Sequence, residues 1–189
     1  MSTRPTISLK KKTEPKQAEP KRARAPAPVP ARQPKVQINA TERNIGLKTD
    51  SLAFALRGAA EAVAQVKLGV ALPEALAQVF SSMAITPQAR GAIQDIAYRT
   101  MRQLGMAETL LVQLASKAPP PTLHGLVCCA LSLLLQGDAS DDGKGYEAFT
   151  VVNQAVTAAS ADPPLTAAKG MVNAVLRRFL REREALIAD

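Results

Sequence analysis

Residues 122–135 read TLHGLVCCALSLLL, and this stretch decides the fold class. From Leu123 to Leu135 a helix would be apolar on nearly every face, so we expect it at the centre of a protein core. Pro119–Pro121 force an extended linker before it, and Thr122 is placed to cap it. The chain has no run of eighteen apolar residues, so we predict no membrane span.

The sequence on both sides of this stretch also has a helical period. Asp50 and Ser51 offer an N-cap, apolar residues then recur at helical spacing, and Gly69 is predicted to end the helix. The composition is 47% hydrophobic but 3% aromatic, without Trp, which favours an aliphatic core of packed helices. About seven helices with short loops predict an all-α bundle over residues 49–189, the further helices lying near residues 73–80, 87–101, 109–114, 147–159 and 166–179.

Residues 1–48 differ from the rest in charge and proline content. The first 50 residues hold 12 Lys+Arg against 4 Asp+Glu and seven of the 14 prolines, so the whole net charge of +8 arises there. With few large apolar side chains, this segment is predicted to be a disordered basic tail. Its basic clusters would attract RNA phosphates, although a solubilising tail with no dedicated partner is the alternative; they are Lys10, Lys11, Lys12, Lys21, Arg22 and Arg24.

Few residues of the helical bundle at 49–189, called the body below, could carry chemistry. Cys128 and Cys129 are adjacent, which excludes a disulfide framework and fits a reducing cytoplasm. With His124, the only histidine, they lack metal-site spacing. His124 lies one helical turn from Cys128, but no third group is evident to orient such a pair. We therefore predict no catalytic, cofactor-binding or metal-binding residue in this chain.

The basic residues of the body are the remaining candidates for binding. Guanidinium groups match phosphate geometry, so five arginines are candidate RNA contacts, with an ordinary solvated face as the alternative: Arg99, Arg102, Arg177, Arg178 and Arg181. Asn153 and Asn173 interrupt apolar stripes. We expect them to form hydrogen bonds between helices, because a buried amide needs a partner. Contact with RNA or protein is the alternative for both amides.

Three segments resemble one family. They are AIQDIAYRTMR (92–102), TVVNQAV (150–156) and AKGMVNAVLRR (168–178), of which the last is the most specific. They are similar in order and spacing to the NusB fold, in the version that begins bacterial small-subunit ribosomal RNA (cytosine-5) methyltransferases. Gln154 replaces the usual Glu of the second segment. The resemblance covers roughly residues 52–185, and the basic tail lies outside the family pattern.

The resemblance implies an all-α bundle of two packed subdomains that binds RNA, here as the docking domain for ribosomal RNA. In that family a catalytic domain follows, with an S-adenosylmethionine site and two separated catalytic cysteines that Cys128 and Cys129 do not match. S-adenosylmethionine is therefore expected only in such a domain, whose linker would start near Asp189. One alternative is a free-standing NusB-type antitermination factor that binds RNA and a ribosomal protein. Another is a protein-interaction module.

Overall fold

A computed structural model describes residues 46–83, 85–136 and 145–188 of the chain. Within these ranges every regular element is a helix, so the prediction of an all-α bundle is confirmed. The helices are α1 (Leu52–Lys67), α2 (Leu72–Ser82), α3 (Pro87–Arg102), α4 (Leu104–Leu114), α5 (Pro121–Leu135), α6 (Ala148–Ala161), α7 (Pro163–Thr166) and α8 (Lys169–Ala188).

The basic tail lies almost wholly outside the described residues. Its disorder and the RNA contacts of its cations stay predictions, and the cations concerned are Lys10, Lys11, Lys12, Lys21, Arg22 and Arg24. The first helix of the described residues begins at Leu52. Ser51 is the N-cap of α1, as predicted, and its Oγ accepts a hydrogen bond from the backbone N–H of Phe54 at 3.2 Å.

Three helix starts differ from the sequence prediction, and one of them is the start of α4, which lies at Leu104 and not near Thr109. Thr122 does not cap α5, because the helix already begins at Pro121, whose fixed φ suits a first helical position. The last helix does not start near Thr166. Pro163–Thr166 instead form the one-turn helix α7, and α8 follows from Lys169. Gly69 ends α1 as expected, with a φ of +94° that favours glycine.

Two helices, α1 and α5, form the centre of the bundle. Nearly every side chain of α5 from Leu123 to Leu134 is buried, as its uniform hydrophobicity predicts. The burial of α1 is just as complete, although its large residues suggested a single apolar stripe. Alanines occupy its other faces, and their small side chains let neighbouring helices approach closely. Gly125 lies so near α1 that a Cβ there would overlap the carbonyl oxygen of Ala60.

The other helices surround this pair. Helices α2, α3 and α6 pack on α1, while α3, α4, α6 and α8 pack on α5. The buried side chains of all eight helices form a single core cluster. The two packed subdomains that the resemblance implies would therefore share one core. In the described parts of the chain, no helix has the length and hydrophobicity needed to cross a membrane.

Candidate functional site

The five candidate arginines lie on two different helices. Arg99 and Arg102 lie in the last turn of α3, which packs mainly on α1 and α5. Arg177, Arg178 and Arg181 lie on α8, which packs mainly on α6, α4 and α5. The two groups are therefore carried by helices that do not pack closely on each other.

Arg99 has structural partners at the end of α5. Its Nε lies 2.8 Å from Oδ2 of Asp95, and its Nη1 donates to Oε1 of Gln136 at 2.7 Å. The side chain is only 19% exposed. Arg183, which the sequence did not single out, donates from Nη2 to the carbonyl oxygen of Leu135 at 3.0 Å. These contacts satisfy groups at the C-terminal end of α5, so they favour a structural role for Arg99 over contact with RNA.

Arg178 faces a different neighbour from the other two arginines of α8. Its Nε forms an ion pair with Glu182 one turn later, at 2.9 Å, and its Nη1 donates to the carbonyl oxygen of Gln113 on α4 at 3.4 Å. It borders a mainly apolar groove between α8 and the α4–α5 linker, which also includes Met171 and Lys117. The charge of Arg178 is thus partly neutralised by Glu182.

Arg177 and Arg181 line a shallow groove between α6 and α8. Both side chains are exposed, and since they are four residues apart they lie one above the other on α8. Val152 and Leu180 form the apolar floor of this groove, and the ring of Phe149 borders it with 72% of the residue exposed. Neither arginine forms an ion pair with any carboxylate of the described residues. We call these five residues the α6–α8 groove.

The two amides lie in other surroundings than expected. Asn153 is exposed and Asn173 partly exposed, and within the described residues neither side chain has a hydrogen bond to another helix. The neighbouring residue Gln154 makes such a bond instead. Its Oε1 accepts from the backbone N–H of Ala53 on α1 at 3.0 Å. The sequence analysis singled out Asn153 for an interhelix hydrogen bond, and the next residue, Gln154, is the amide that forms one.

The two amides lie one helical turn from residues of the α6–α8 groove. Asn153 follows Phe149 by one turn of α6, and Asn173 precedes Arg177 by one turn of α8. Each amide therefore shares a helix face with a residue of the groove. This position favours the alternative interpretation of both amides, as contacts for a partner.

A second polar cluster joins α1, α4 and α5. Nζ of Lys67 contacts Oε1 of Glu108 and lies 3.3 Å from Nε2 of His124. Nδ1 of the same ring lies 3.7 Å from Sγ of Cys128. The sequence revealed no third group beside the His124–Cys128 pair because Lys67 and Glu108 are distant along the chain. The tertiary structure supplies both.

The electrostatics of this cluster argue against nucleophilic chemistry. Burial raises the pKa of Cys128 to about 12, with smaller contributions from Cys129 and Glu108. Burial likewise raises the pKa of Cys129 to about 12. Burial and then Lys67 lower the pKa of His124. The thiol therefore stays protonated at neutral pH, unlike the thiolate of an activated Cys–His pair. No group of three or more metal-ligating side chains converges in the described ranges.

No protein-family model matches this chain, and no curated protein sequence matches it either. The NusB resemblance therefore stays a prediction that rests on its three motifs. The first motif lies in α3, the second in α6 and the third spans the start of α8. The second and third thus contribute Asn153, Asn173 and Arg177 to the neighbourhood of the α6–α8 groove.

Proposed function

We propose that this protein is an RNA-binding module of NusB type that docks ribosomal RNA for an S-adenosylmethionine-dependent cytosine-5 methyltransferase. One observation carries the RNA-binding part: Arg177 and Arg181 are exposed on one face of α8 and have no acidic partner among the described residues. Unpaired guanidinium groups at this spacing suit adjacent phosphates. The link to a methyltransferase rests on the resemblance of the sequence motifs.

In this proposal the body and the tail have different tasks. The α6–α8 groove holds the RNA in a defined position, while the cations of residues 1–48 add attraction that is independent of sequence. Catalysis and S-adenosylmethionine binding belong to a separate catalytic domain. We propose a cytoplasmic setting, because two buried free thiols suit a reducing compartment.

The test compares two double variants of the full chain that lose the same charge. Arg177→Ala with Arg181→Ala removes the groove cations. Arg90→Ala with Lys117→Ala removes two exposed cations elsewhere. Binding of single-stranded ribosomal RNA fragments is measured over a range of salt concentrations. We expect the groove variant to weaken binding on the order of tenfold and to reduce the log–log salt slope by about 1.4, since each lost phosphate contact contributes about 0.7.

Two results would contradict the proposal. One is a wild-type chain that binds no RNA even at low salt. The other is an equal loss in both double variants, because net charge alone would then explain it. Recovery of a ribosomal protein with the wild-type chain from cell extract, together with RNA, would instead favour the antitermination factor.

A further inference from the structure

Phe149 is an exposed aromatic residue in a protein that has few aromatics. Of the four phenylalanines, Phe54 and Phe179 are buried, and Phe80 is partly buried beneath the guanidinium group of Arg90, 5.0 Å from its ring centre. Phe149 is 72% exposed in the first turn of α6. Exposed apolar surface rimmed by polar groups is typical of a binding site.

The residues around Phe149 provide apolar and cationic contacts of the kind that bind a nucleotide. Its ring borders the apolar floor made by Val152 and Leu180, and the cations of Arg177 and Arg181 line the same groove. An aromatic ring provides a face on which any base can stack, and the guanidinium groups provide contacts for the adjoining phosphates. Stacking and charge are thus available within one groove.

We propose that the α6–α8 groove binds an unpaired nucleotide of single-stranded RNA, whose base stacks on Phe149 while Arg177 and Arg181 contact the flanking phosphates. This inference rests on the proposed RNA-binding function and adds the class of RNA. A base within a duplex is covered on both faces by its neighbours, so it offers no face to Phe149. Asn153 and Asn173, one turn away on their helices, provide donors and acceptors for base edges.

The main competing occupant is an acidic peptide, and it makes different demands on the groove. Carboxylates would pair with Arg177 and Arg181, and an apolar side chain would contact Phe149. Leucine at position 149 would preserve most of that apolar contact. It would not preserve base stacking, which requires a planar ring. The substitution Phe149→Leu therefore distinguishes the two occupants.

The experiment uses the full chain and a single-stranded RNA that carries one 2-aminopurine, whose fluorescence is quenched when it stacks. The wild type and Phe149→Tyr should quench the reporter and bind within about twofold of each other, since both keep the ring. Phe149→Leu should lose the quenching that depends on Phe149, and its affinity should fall about 5- to 150-fold, the range for one stacked base. The fully paired duplex of the same sequence should bind the wild type and Phe149→Leu equally.

Val112→Ala is the matched control, because Val112 is an apolar side chain on α4 that is 79% exposed. It should leave both quenching and affinity unchanged. Thermal unfolding of each variant checks that the fold is preserved, which the exposure of both positions leads us to expect.

Failure of this inference can be told apart from failure of the proposed function. If the double variant of Arg177 and Arg181 weakens RNA binding while Phe149→Leu quenches and binds as the wild type does, the chain binds RNA by charge alone and the stacking proposal is wrong. If the wild type binds no RNA, both proposals are wrong. Binding of an acidic peptide that is lost in the arginine variant and kept in Phe149→Leu, without any RNA binding, would identify the peptide as the occupant.

Discussion

Arg57 of α1 donates a hydrogen bond from Nε to Oδ2 of Asp162, the residue that joins α6 to α7, and the two side chains are only 5% and 4% exposed. The guanidinium group also contacts Glu61 one turn later, at 3.0 Å. This ion pair attaches the segment between α6 and α8 to the central helix α1.

We expect Asp162→Ala to lower the free energy of unfolding by about 3–5 kcal/mol, because it leaves the buried guanidinium group of Arg57 without its main partner. Urea unfolding followed by circular dichroism measures the change. Glu182→Ala is the control, since it breaks the exposed ion pair with Arg178 and should cost less than about 1 kcal/mol. Equal losses in the two variants would show that the buried pair contributes no more than an exposed one.

We expect Gly125→Ala to destabilise the protein by about 1–3 kcal/mol, because the added methyl group would overlap the backbone of Ala60 and force α1 and α5 apart. Gly91→Ala in α3 is the control. Nothing lies within 4 Å of a Cβ at that position, so the better helix propensity of alanine should stabilise the protein by about 0.5–1 kcal/mol. Thermal or urea unfolding measures both. A neutral Gly125→Ala would mean that α1 and α5 can separate without loss.

His124 is the only histidine, so its ring protons give an unambiguous NMR titration. Burial and Lys67 lower the pKa of His124 while Glu108 opposes them, so we expect titration below 6.5. As the pH falls below 6.5, the unfolded chain takes up a proton that the folded chain resists. The free energy of unfolding should therefore decrease as the pH falls from 6.5 towards the folded-state pKa.

Substitutions of Lys67 and Glu108 test the direction in which each residue shifts the pKa of His124. Lys67→Met should raise the pKa of His124, whereas Glu108→Gln should lower it further. Lys48→Met, before the other end of α1, should leave it unchanged. A His124 pKa at or above 6.5 in the wild type would contradict the arrangement of this cluster. A His124 pKa that does not change in Lys67→Met would contradict it as well.

The tail prediction can be tested within the full chain by replacing Lys10, Lys11 and Lys12 with glutamine. If these cations contact RNA phosphates, the log–log salt slope for single-stranded RNA should fall by about 2, since each contact contributes about 0.7. The stacking signal at Phe149 should remain. An unchanged slope would indicate that these three lysines do not contact RNA.

Several features of the site could not be read from the sequence. A helical period indicates which residues share a face, but it does not say which face another helix covers. Asn153 and Gln154 are therefore indistinguishable in the sequence, although one is exposed and the other bonds α1. Arg99 was selected for its charge, and only the nearby end of α5 shows that its guanidinium group has structural partners. The sequence places Phe149 in an apolar stretch of α6, and only the structure shows that its side chain is exposed.

The sequence by itself determined the fold class, the first helix cap and the burial of α5. Each of these depends on local preference or on the amount of apolar surface, and both are properties of neighbouring residues. The tertiary structure alone decided that Arg57 pairs with Asp162, that Lys67 and Glu108 approach His124, and that Phe149 borders the same groove as Arg177. These contacts join residues on different helices, so they arise only once side-chain volumes have determined how the helices pack.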